Sequence, residues 1–322
     1  MIGWISYIVF FLILASIYAI MALGLNLQWG YTGLFNIGIV GFFAVGAYTF
    51  SILATPDQVG HLGGYNWPFL LALLGAMVMS GIVALIVGVP TLRLRDDYLA
   101  IATIGIAVSI QLIANNLSWL TGGPQGIYNI PQPLANYFSS NLGYNLFFLG
   151  MMMFILVLVY VGLERMVNSP WGRVLMAIRE DETAAGSVGK NAFSYRLQSF
   201  VIGAVLMGLS GALYASFIKY ISPTLFMPIL TFQVWAMLIV GGSGSNLGAI
   251  VGAVLVWALW TGSGTVVQWL LPADIQVKGG AIQIIVIGLV LMLALLFRPR
   301  GLLGERKEVA AEETKSKISN IQ

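Results

Sequence analysis

The first 56 residues of the chain contain no Asp, Glu, Lys, Arg or His. A membrane-spanning helix needs about 20 mostly apolar residues, so this stretch is long enough for two crossings and a connection between them. A single crossing would leave much apolar surface in water. The whole chain is 59% hydrophobic and 8% charged, whereas about a quarter of the residues in soluble domains are charged. The sequence therefore predicts an integral membrane protein.

Hydrophobic periodicity selects the fold class. A chain in lipid must satisfy its own backbone hydrogen bonds, so it forms either a helix bundle or a closed barrel. Apolar runs of about 20 residues without alternation favour helices. We predict an all-α, polytopic helix bundle with about nine transmembrane helices. The apolar runs are 5–28, 33–54, 68–90, 97–117, 145–163, 197–219, 228–241, 247–271 and 280–297.

Basic residues are concentrated in three connecting segments. These are the loop with Arg93 and Arg95, the stretch 164–196 and the tail 298–322. Cytoplasmic loops carry an excess of Lys and Arg, and an odd number of crossings puts the two termini on opposite sides. We therefore predict an N-terminus outside the cell, a transmembrane domain over residues 1–297, and a charged cytoplasmic tail that is partly disordered.

The stretch QWGYTG, which begins at Gln28, interrupts the first apolar region. It is predicted to join two helices in a tight hairpin at the cytoplasmic face, where Gly30 and Gly33 can adopt turn conformations forbidden to bulkier residues. Asn26, Gln28 and Asn36 have two interpretations. They hydrogen-bond backbone groups freed by the turn, or they face a watery passage, which makes Asn26 and Asn36 candidates for a translocation pathway.

A second set of polar residues falls within the fourth predicted helix. Gln111, Asn115 and Ser118 are spaced four and three residues apart, so they share one helix face. A polar stripe in lipid should face the interior of the bundle, toward partner groups or toward a cavity. These three residues are further candidates for the pathway, with interhelical hydrogen bonding as the alternative.

Small residues recur at helical spacing in other predicted helices. Such stripes let helix backbones approach closely, so we predict that they form helix contacts. The residues are Ala72, Ala76, Ser80, Ala84 and Gly88 in one helix, Ala204, Gly208, Ala212 and Ser216 in a second, and Gly248 and Gly252 in a third.

The residue inventory argues against an enzyme. His61 is the only histidine and the chain has no cysteine, which excludes a catalytic His dyad and a Cys or multi-His metal site within one chain. The sequence has no G-x-x-x-x-G-K-[ST] loop for nucleotide phosphates. It also has no buried charge for carrying an ion, and nothing indicates nucleic-acid binding. The chain is therefore a channel, or a pump driven by another polypeptide.

The charged segment between the fifth and sixth predicted helices has the features of folded structure. Ser169 followed by proline predicts a helix start, and the amphipathic pattern runs to Gly186 or Gly189. Asn191 or Ser194 can cap the next helix. Two short elements at the cytoplasmic face would form a contact on which a partner could act, and an inert connecting loop is the alternative.

Four runs of the sequence are similar to those of one family. They are GLNLQWGYTGLFNIGIVGFFAVGAY, GRVLMAIREDETAAGSVGKNAFSYRLQSFVIGAVLMGLSGALYA, GGSGSNLGAIVGAVL and FRPRGLLGE. The runs occur in the same order as in that family, over about residues 20–304. On these runs the chain resembles the permease subunits of branched-chain amino acid ABC importers, in the LivM-like branch. The resemblance implies the architecture of the vitamin B12 importer. It also implies a second homologous permease, two cytoplasmic ATPases and an extracellular or periplasmic binding protein, in a bacterial or archaeal cytoplasmic membrane.

The resemblance places the coupling element of the family on about residues 171–196. Its match to the wider EAA…G loop of ABC permeases is loose, and the usual Leu-Pro is absent. We predict that Ile178 and the charges that follow it dock into a groove of the ATPase, so that ATP is used by partner subunits and this chain binds no cofactor. The candidate coupling residues are Ile178, Arg179, Glu180, Asp181, Glu182, Ala185 and Gly189.

The resemblance leaves the substrate open among leucine-like amino acids, other neutral amino acids, short amides and urea. A pathway without ionisable residues suits a zwitterionic or neutral solute. The expected function is the permease subunit of an ATP-driven importer for neutral or hydrophobic amino acids. A urea or short-amide importer is the alternative within the class, and a passive channel for a small neutral solute is the alternative from another class.

Overall fold

The computed structural model describes residues 2–56, 62–94, 96–270, 279–297 and 301–304. It is 81% helical, and six helices within these ranges are long and apolar enough to cross a membrane. The prediction of an all-α, multi-pass membrane protein is thus confirmed. The helices are α1 (Ile2–Leu25), α2 (Ile39–Ala54), α3 (Phe69–Thr91), α4 (Asp96–Asn116), α5 (Ser118–Thr121), α6 (Asn141–Val167), α7 (Pro170–Glu180), α8 (Glu182–Ser187), α9 (Ala192–Ile218), α10 (Pro228–Gly241), α11 (Asn246–Leu270) and α12 (Gly279–Phe297).

Some sequence features have no counterpart in the described part of the chain. Arg95 and His61 lie outside it, as does the predicted tail except for the four residues 301–304. Among the described helices, α2 and α10 are apolar but shorter than the six candidate spans. The count of nine crossings stays a prediction.

Helix α9 packs against α1, α2 and α3. Its predicted stripe of small residues is fully buried. A Cβ added at Gly208 would overlap Ser80 of α3, with 2.5 Å between the two Cβ atoms, and a Cβ at Gly203 would lie 2.7 Å from the carbonyl oxygen of Gly24 in α1. The predicted role of small residues in close helix contacts is therefore confirmed, because a larger side chain would separate these backbones.

The first two helices do not form the predicted tight hairpin. The extensive contacts of α1 are with α6, α9 and α11, and those of α2 are with α3, α4 and α9. The chain between them first continues α1 as a π-helical segment, Asn26–Tyr31, and then runs without regular structure to α2. The hairpin prediction is wrong because α9, distant in sequence, offers both helices a glycine-lined surface for close packing.

The two predicted turn glycines have different structural roles. Gly33 has φ +77°, which is the left-handed conformation expected at a turn. Gly30 lies within the π-helical segment, where an added Cβ would overlap the side chain of Asn26 and lie 2.5 Å from the backbone nitrogen of Gly244. Gly30 is thus required for close packing against the chain before α11.

Two connecting segments pair in a short antiparallel sheet. Strand β1 (Ile127–Tyr128) follows α5, and strand β2 (Tyr220–Ile221) follows α9. Ile127 pairs with Ile221, and both side chains are fully buried. The sheet fixes the segment between α4 and α6 against the connection from α9 to α10.

Candidate functional site

Helices α7 and α8 form the segment between α6 and α9. Pro170 is the first residue of α7 and Ser169 before it is extended, which confirms the predicted helix start. Proline is favoured at the first position of a helix because the backbone N–H that it lacks would have no partner within the helix. The predicted helix end is wrong, since α7 stops at Glu180 and not at Gly186 or Gly189.

Asp181 separates the two helices. Its backbone is extended, with φ −154°, and its carboxylate accepts hydrogen bonds from the backbone N–H groups of Thr183 at 2.8 Å and Ala184 at 3.0 Å. This is the capping geometry that begins a helix. Gly189 follows α8 with φ +81°, and Asn191, one of the two predicted caps, caps α9.

A small core and an ion pair hold the segment together. Ile178 is 2% exposed and packs with Ala185 and Ala192. Glu182 forms an ion pair with Arg196 of α9 at 2.9 Å. We call α7 and α8 together the platform, because these contacts join the two helices to each other and to the start of α9.

An open groove lies along the platform and encloses about 540 Å³. Its lining combines apolar and charged side chains. Val188 is 76% exposed and lies among charged side chains of the groove. The principal lining residues are Val174, Ala177, Val188, Arg173, Glu180 and Lys190.

The predicted coupling residues divide between two sides of the platform. Glu180 and Asp181 are exposed and line the groove, and Glu182 and Gly189 are also exposed. Ile178 has its side chain in the small core, so it supports the groove from within and is not available at its surface. Contact between the exposed residues and an ATPase stays a prediction.

Arg179 is directed away from the groove, toward the end of α1. Its guanidinium donates a hydrogen bond to the carbonyl oxygen of Gly30 and forms an ion pair with Glu180 at 3.2 Å. Its Cγ lies 3.1 Å from the position that a Cβ on Gly33 would occupy. Arg179 therefore links the platform to the π-helical segment.

Asn26 in the π-helical segment takes part in a buried polar network. Its side-chain Nδ2 donates to Asn246 Oδ1 at 3.0 Å, and its Oδ1 accepts from the backbone N–H of Gly244 at 2.9 Å. Asn246 in turn donates to Glu164 Oε2 at 2.8 Å. These bonds join α1 to the start of α11 and the end of α6.

Gln28 and Asn36 form a second buried network. Gln28 donates to the carbonyl oxygen of Phe200 in α9 at 2.8 Å, and Asn36 donates to Gln28 Oε1 at 2.8 Å. The indole N–H of Trp235 donates to the carbonyl oxygen of Asn36 at 3.1 Å. Both amides are fully buried. These bonds support the interpretation that the polar residues satisfy backbone groups at the break, while a pathway role for Asn26 and Asn36 stays a prediction.

The polar stripe predicted on the fourth helix is interrupted. Gln111 and Asn115 lie on α4 and are half-buried, and Gln111 donates to the carbonyl oxygen of Pro223 at 3.0 Å. Ser118 is exposed and begins α5, after Leu117 leaves helical geometry with ψ 68°. Ser118 therefore does not continue the helix face of the other two residues. Their place in a pathway stays a prediction.

Sequence reasoning did not find the site formed by Glu164 and the C-terminal segment. The backbone N–H groups of Leu302 and Leu303 donate to the carbonyl oxygens of Val240 and Gly241 at 2.9 and 2.8 Å. Glu164, Asn246 and this segment line a polar cavity of about 270 Å³. The run FRPRGLLGE was a signal for this contact, but it gave no indication of where the segment would bind.

Comparison with known proteins identifies the family. Residues 7–295 match the family described as branched-chain amino acid transport system / permease component. The high-affinity branched-chain amino acid transport system permease protein LivM of Salmonella typhimurium is 32% identical over 313 residues, which cover 90% of this chain and 68% of the relative. No solved structure matches the chain.

Two further relatives broaden this comparison. The probable branched-chain amino acid transport permease protein LivM of Methanocaldococcus jannaschii is 28% identical over 95% of both chains. The high-affinity branched-chain amino acid transport system permease protein LivH of Salmonella typhimurium is 25% identical over 76% of this chain and 80% of the relative. Because the family match covers almost all of the membrane-spanning part, the chain belongs to the family of permease components of branched-chain amino acid transport systems.

Proposed function

We propose that this chain is the permease subunit of an ATP-driven importer for branched-chain and other neutral or hydrophobic amino acids, located in a bacterial or archaeal cytoplasmic membrane. The family match over residues 7–295 carries this proposal. The relatives named LivM are described as branched-chain amino acid transport permeases. Hydrolysis of ATP belongs to partner subunits, and this chain supplies part of the transport pathway.

The proposed assembly contains a second homologous permease. In Salmonella typhimurium, two different permease proteins, LivM and LivH, carry the name of a high-affinity branched-chain amino acid transport system, and both are similar to this chain. Two cytoplasmic ATPases and an extracellular or periplasmic binding protein complete the assembly. The nine crossings, the external N-terminus, the cytoplasmic C-terminus and an architecture like that of the vitamin B12 importer are parts of this proposal.

The ATPase is proposed to dock on the platform groove. The charged residues Arg173, Glu180 and Lys190 surround the apolar Val188, a combination that suits a contact with an apolar centre and a charged rim. Ile178 packs against Ala185 beneath the groove and keeps the two helices in register. Positive charges in the segment 164–196 favour its cytoplasmic location.

The translocation pathway is proposed to lie between the two permeases. Gln111, Asn115 and Ser118 are accessible to different degrees at the surface of this chain, where a second permease could complete a polar passage. Asn26 and Asn36 have hydrogen-bond partners within the chain. Both side chains would contribute to the passage when these hydrogen bonds break during transport and the amides become free to bind the solute.

Reconstitution in liposomes tests the proposed function. The complete complex should take up labelled leucine only with internal ATP and external binding protein, and an excess of unlabelled isoleucine should compete. The purified chain alone should take up none. Leucine uptake by the chain alone at the rate of the complex would support the passive channel instead, and competition by urea but not by isoleucine would support the urea importer.

A further inference from the structure

The platform touches the membrane bundle at the point where α1 loses regular helical geometry. The π-helical segment Asn26–Tyr31 extends α1 beyond Leu25. Such π-helical turns are rare in proteins, and those that occur are often found at functional sites. Arg179 reaches this segment from the last turn of α7 and donates to the carbonyl oxygen of Gly30. The platform and the first membrane helix are therefore in direct polar contact.

The contact is shaped for the arginine side chain. Gly33, with φ +77°, leaves space in which Arg179 Cγ lies 3.1 Å from the position of an added Cβ. Glu180 holds the guanidinium from the other side at 3.2 Å. Bonds from a charged donor are stronger than those between neutral groups, so the guanidinium fixes both the distance and the direction of α7 relative to the segment.

The π-helical segment is itself bonded to distant helices. Asn26 connects it to Asn246 at the start of α11, and Gln28 connects it to Phe200 in α9. A displacement of this segment would therefore reach two further helices of the bundle. The exposed groove lies on the opposite side of α7 from Arg179.

We propose that Arg179 is a positioning residue that transmits displacement of the platform to the end of α1. This inference rests on the proposed function, since it needs an ATPase to displace the platform. It differs from the sequence-based expectation, in which Arg179 contacts the ATPase. In the new role, Arg179 is dispensable for ATPase binding and required for converting hydrolysis into transport.

Substitution of Arg179 separates these two roles. In the complete complex, Arg179→Ala should retain ATPase binding and stimulated hydrolysis, while the amount of amino acid transported per ATP falls about tenfold, within the range of measured coupling effects. Arg179→Lys keeps a cationic donor and should recover part of the ratio. Trp171→Phe is the matched control, because it removes a different side-chain hydrogen bond of α7, to Gln198 at 2.8 Å, and should leave the ratio unchanged.

A reversible covalent link provides the decisive experiment. An added Cβ at Gly33 would lie 3.8 Å from Arg179 Cβ, which matches the typical Cβ–Cβ separation of about 3.8 Å in disulfides. The chain has no native cysteine. In the oxidised complex with Gly33→Cys/Arg179→Cys, a disulfide replaces the arginine contact, so transport of amino acid should stay coupled to ATP hydrolysis. After reduction, the same complex has neither contact and should hydrolyse ATP with little transport. The single variant Gly33→Cys controls for strain at the left-handed position.

The outcomes are distinguishable. A wild-type transport ratio in Arg179→Ala, or equal ratios in the oxidised and reduced double variant, would overturn the role of Arg179. Loss of ATPase binding by a folded Arg179→Ala chain would overturn it as well. If Arg179→Ala does not fold, the redox comparison within one preparation of the double variant decides. Failure of the wild-type complex to import any branched-chain amino acid would instead overturn the proposed function.

Discussion

The crossing of α3 with α9 and the junction, where the π-helical segment Asn26–Tyr31 meets α9 and the start of α11, both contain fully buried polar side chains, yet they are held in different ways. At the crossing, Gly208 faces Ser80 and the backbones approach because side chains are small. At the junction, amides such as Asn26 and Gln28 are paired with partners far away in sequence. The crossing depends on shape, whereas the junction depends on hydrogen bonds in addition to the close packing of Gly30. The difference teaches that added volume disrupts either surface, but that only the junction is also disrupted by removing a polar side chain.

The largest expected effect is at the crossing. Gly208→Leu would place side-chain atoms where Ser80 lies, and forced overpacking costs about 3 kcal/mol or more when neither backbone can yield. We expect loss of folded protein, measured as thermal unfolding in detergent. Gly150→Leu is the control, since an added Cβ there meets nothing within 4 Å. Equal stability of the two variants would show that the crossing is not governed by shape.

A smaller effect is expected at the junction. Asn26→Ala leaves Asn246 Oδ1 and the backbone N–H of Gly244 without their partner, and an unsatisfied buried group costs about 1–3 kcal/mol. Thermal unfolding should show this loss. Asn116→Ala is the control, because Asn116 is exposed and its side chain donates to the carbonyl oxygen of Leu112 in its own helix. If Asn26→Ala is as stable as the control, water can replace the network and the comparison with the crossing fails.

The platform groove lies on the side of α7 opposite to the junction, and its predicted contact with the ATPase is the next test. Val188→Asp should weaken ATPase binding about tenfold, or about 1.4 kcal/mol, because it places a charge among the apolar lining. Co-purification with the ATPase as a function of its concentration measures this. Ser187→Asp adds the same charge at an exposed neighbouring position that does not line the groove, and should bind normally. Equal weakening by both would indicate a general effect of charge.

The smallest expected effect is at the cap between α7 and α8. Asp181→Ala removes two hydrogen bonds to backbone N–H groups, and loss of such a cap costs about 1 kcal/mol. Hydrogen exchange at Thr183 and Ala184 should accelerate, with little change in the membrane helices. Asp181→Asn keeps an acceptor and should exchange more slowly than the alanine variant. If hydrogen exchange is as fast in Asp181→Asn as in Asp181→Ala, the negative charge of Asp181, and not its hydrogen bonds, slows the exchange.

Local sequence patterns predicted much of the site. The start of α7 at Pro170, the cap at Asn191 and the left-handed Gly33 follow from residue types whose backbone preferences act over a few positions. The end of α7 was missed for a related reason. Asp181 competes with the helix by bonding the next two N–H groups that it can reach, and the longer amphipathic pattern concealed this short-range preference.

The sequence by itself determined that the chain enters the membrane as apolar helices, since each run of about 20 apolar residues is constrained by the thickness of the bilayer. It also determined which helix faces could pack closely, because small residues at four-residue spacing share a face. Only the tertiary structure decided that α9 packs against both α1 and α2, that Asn26 bonds Asn246, and that Arg179 turns inward to Gly30. Those contacts join residues more than a hundred positions apart. Local preferences do not select among such partners, which are chosen by the packing of the whole bundle and the need to pair every buried polar group.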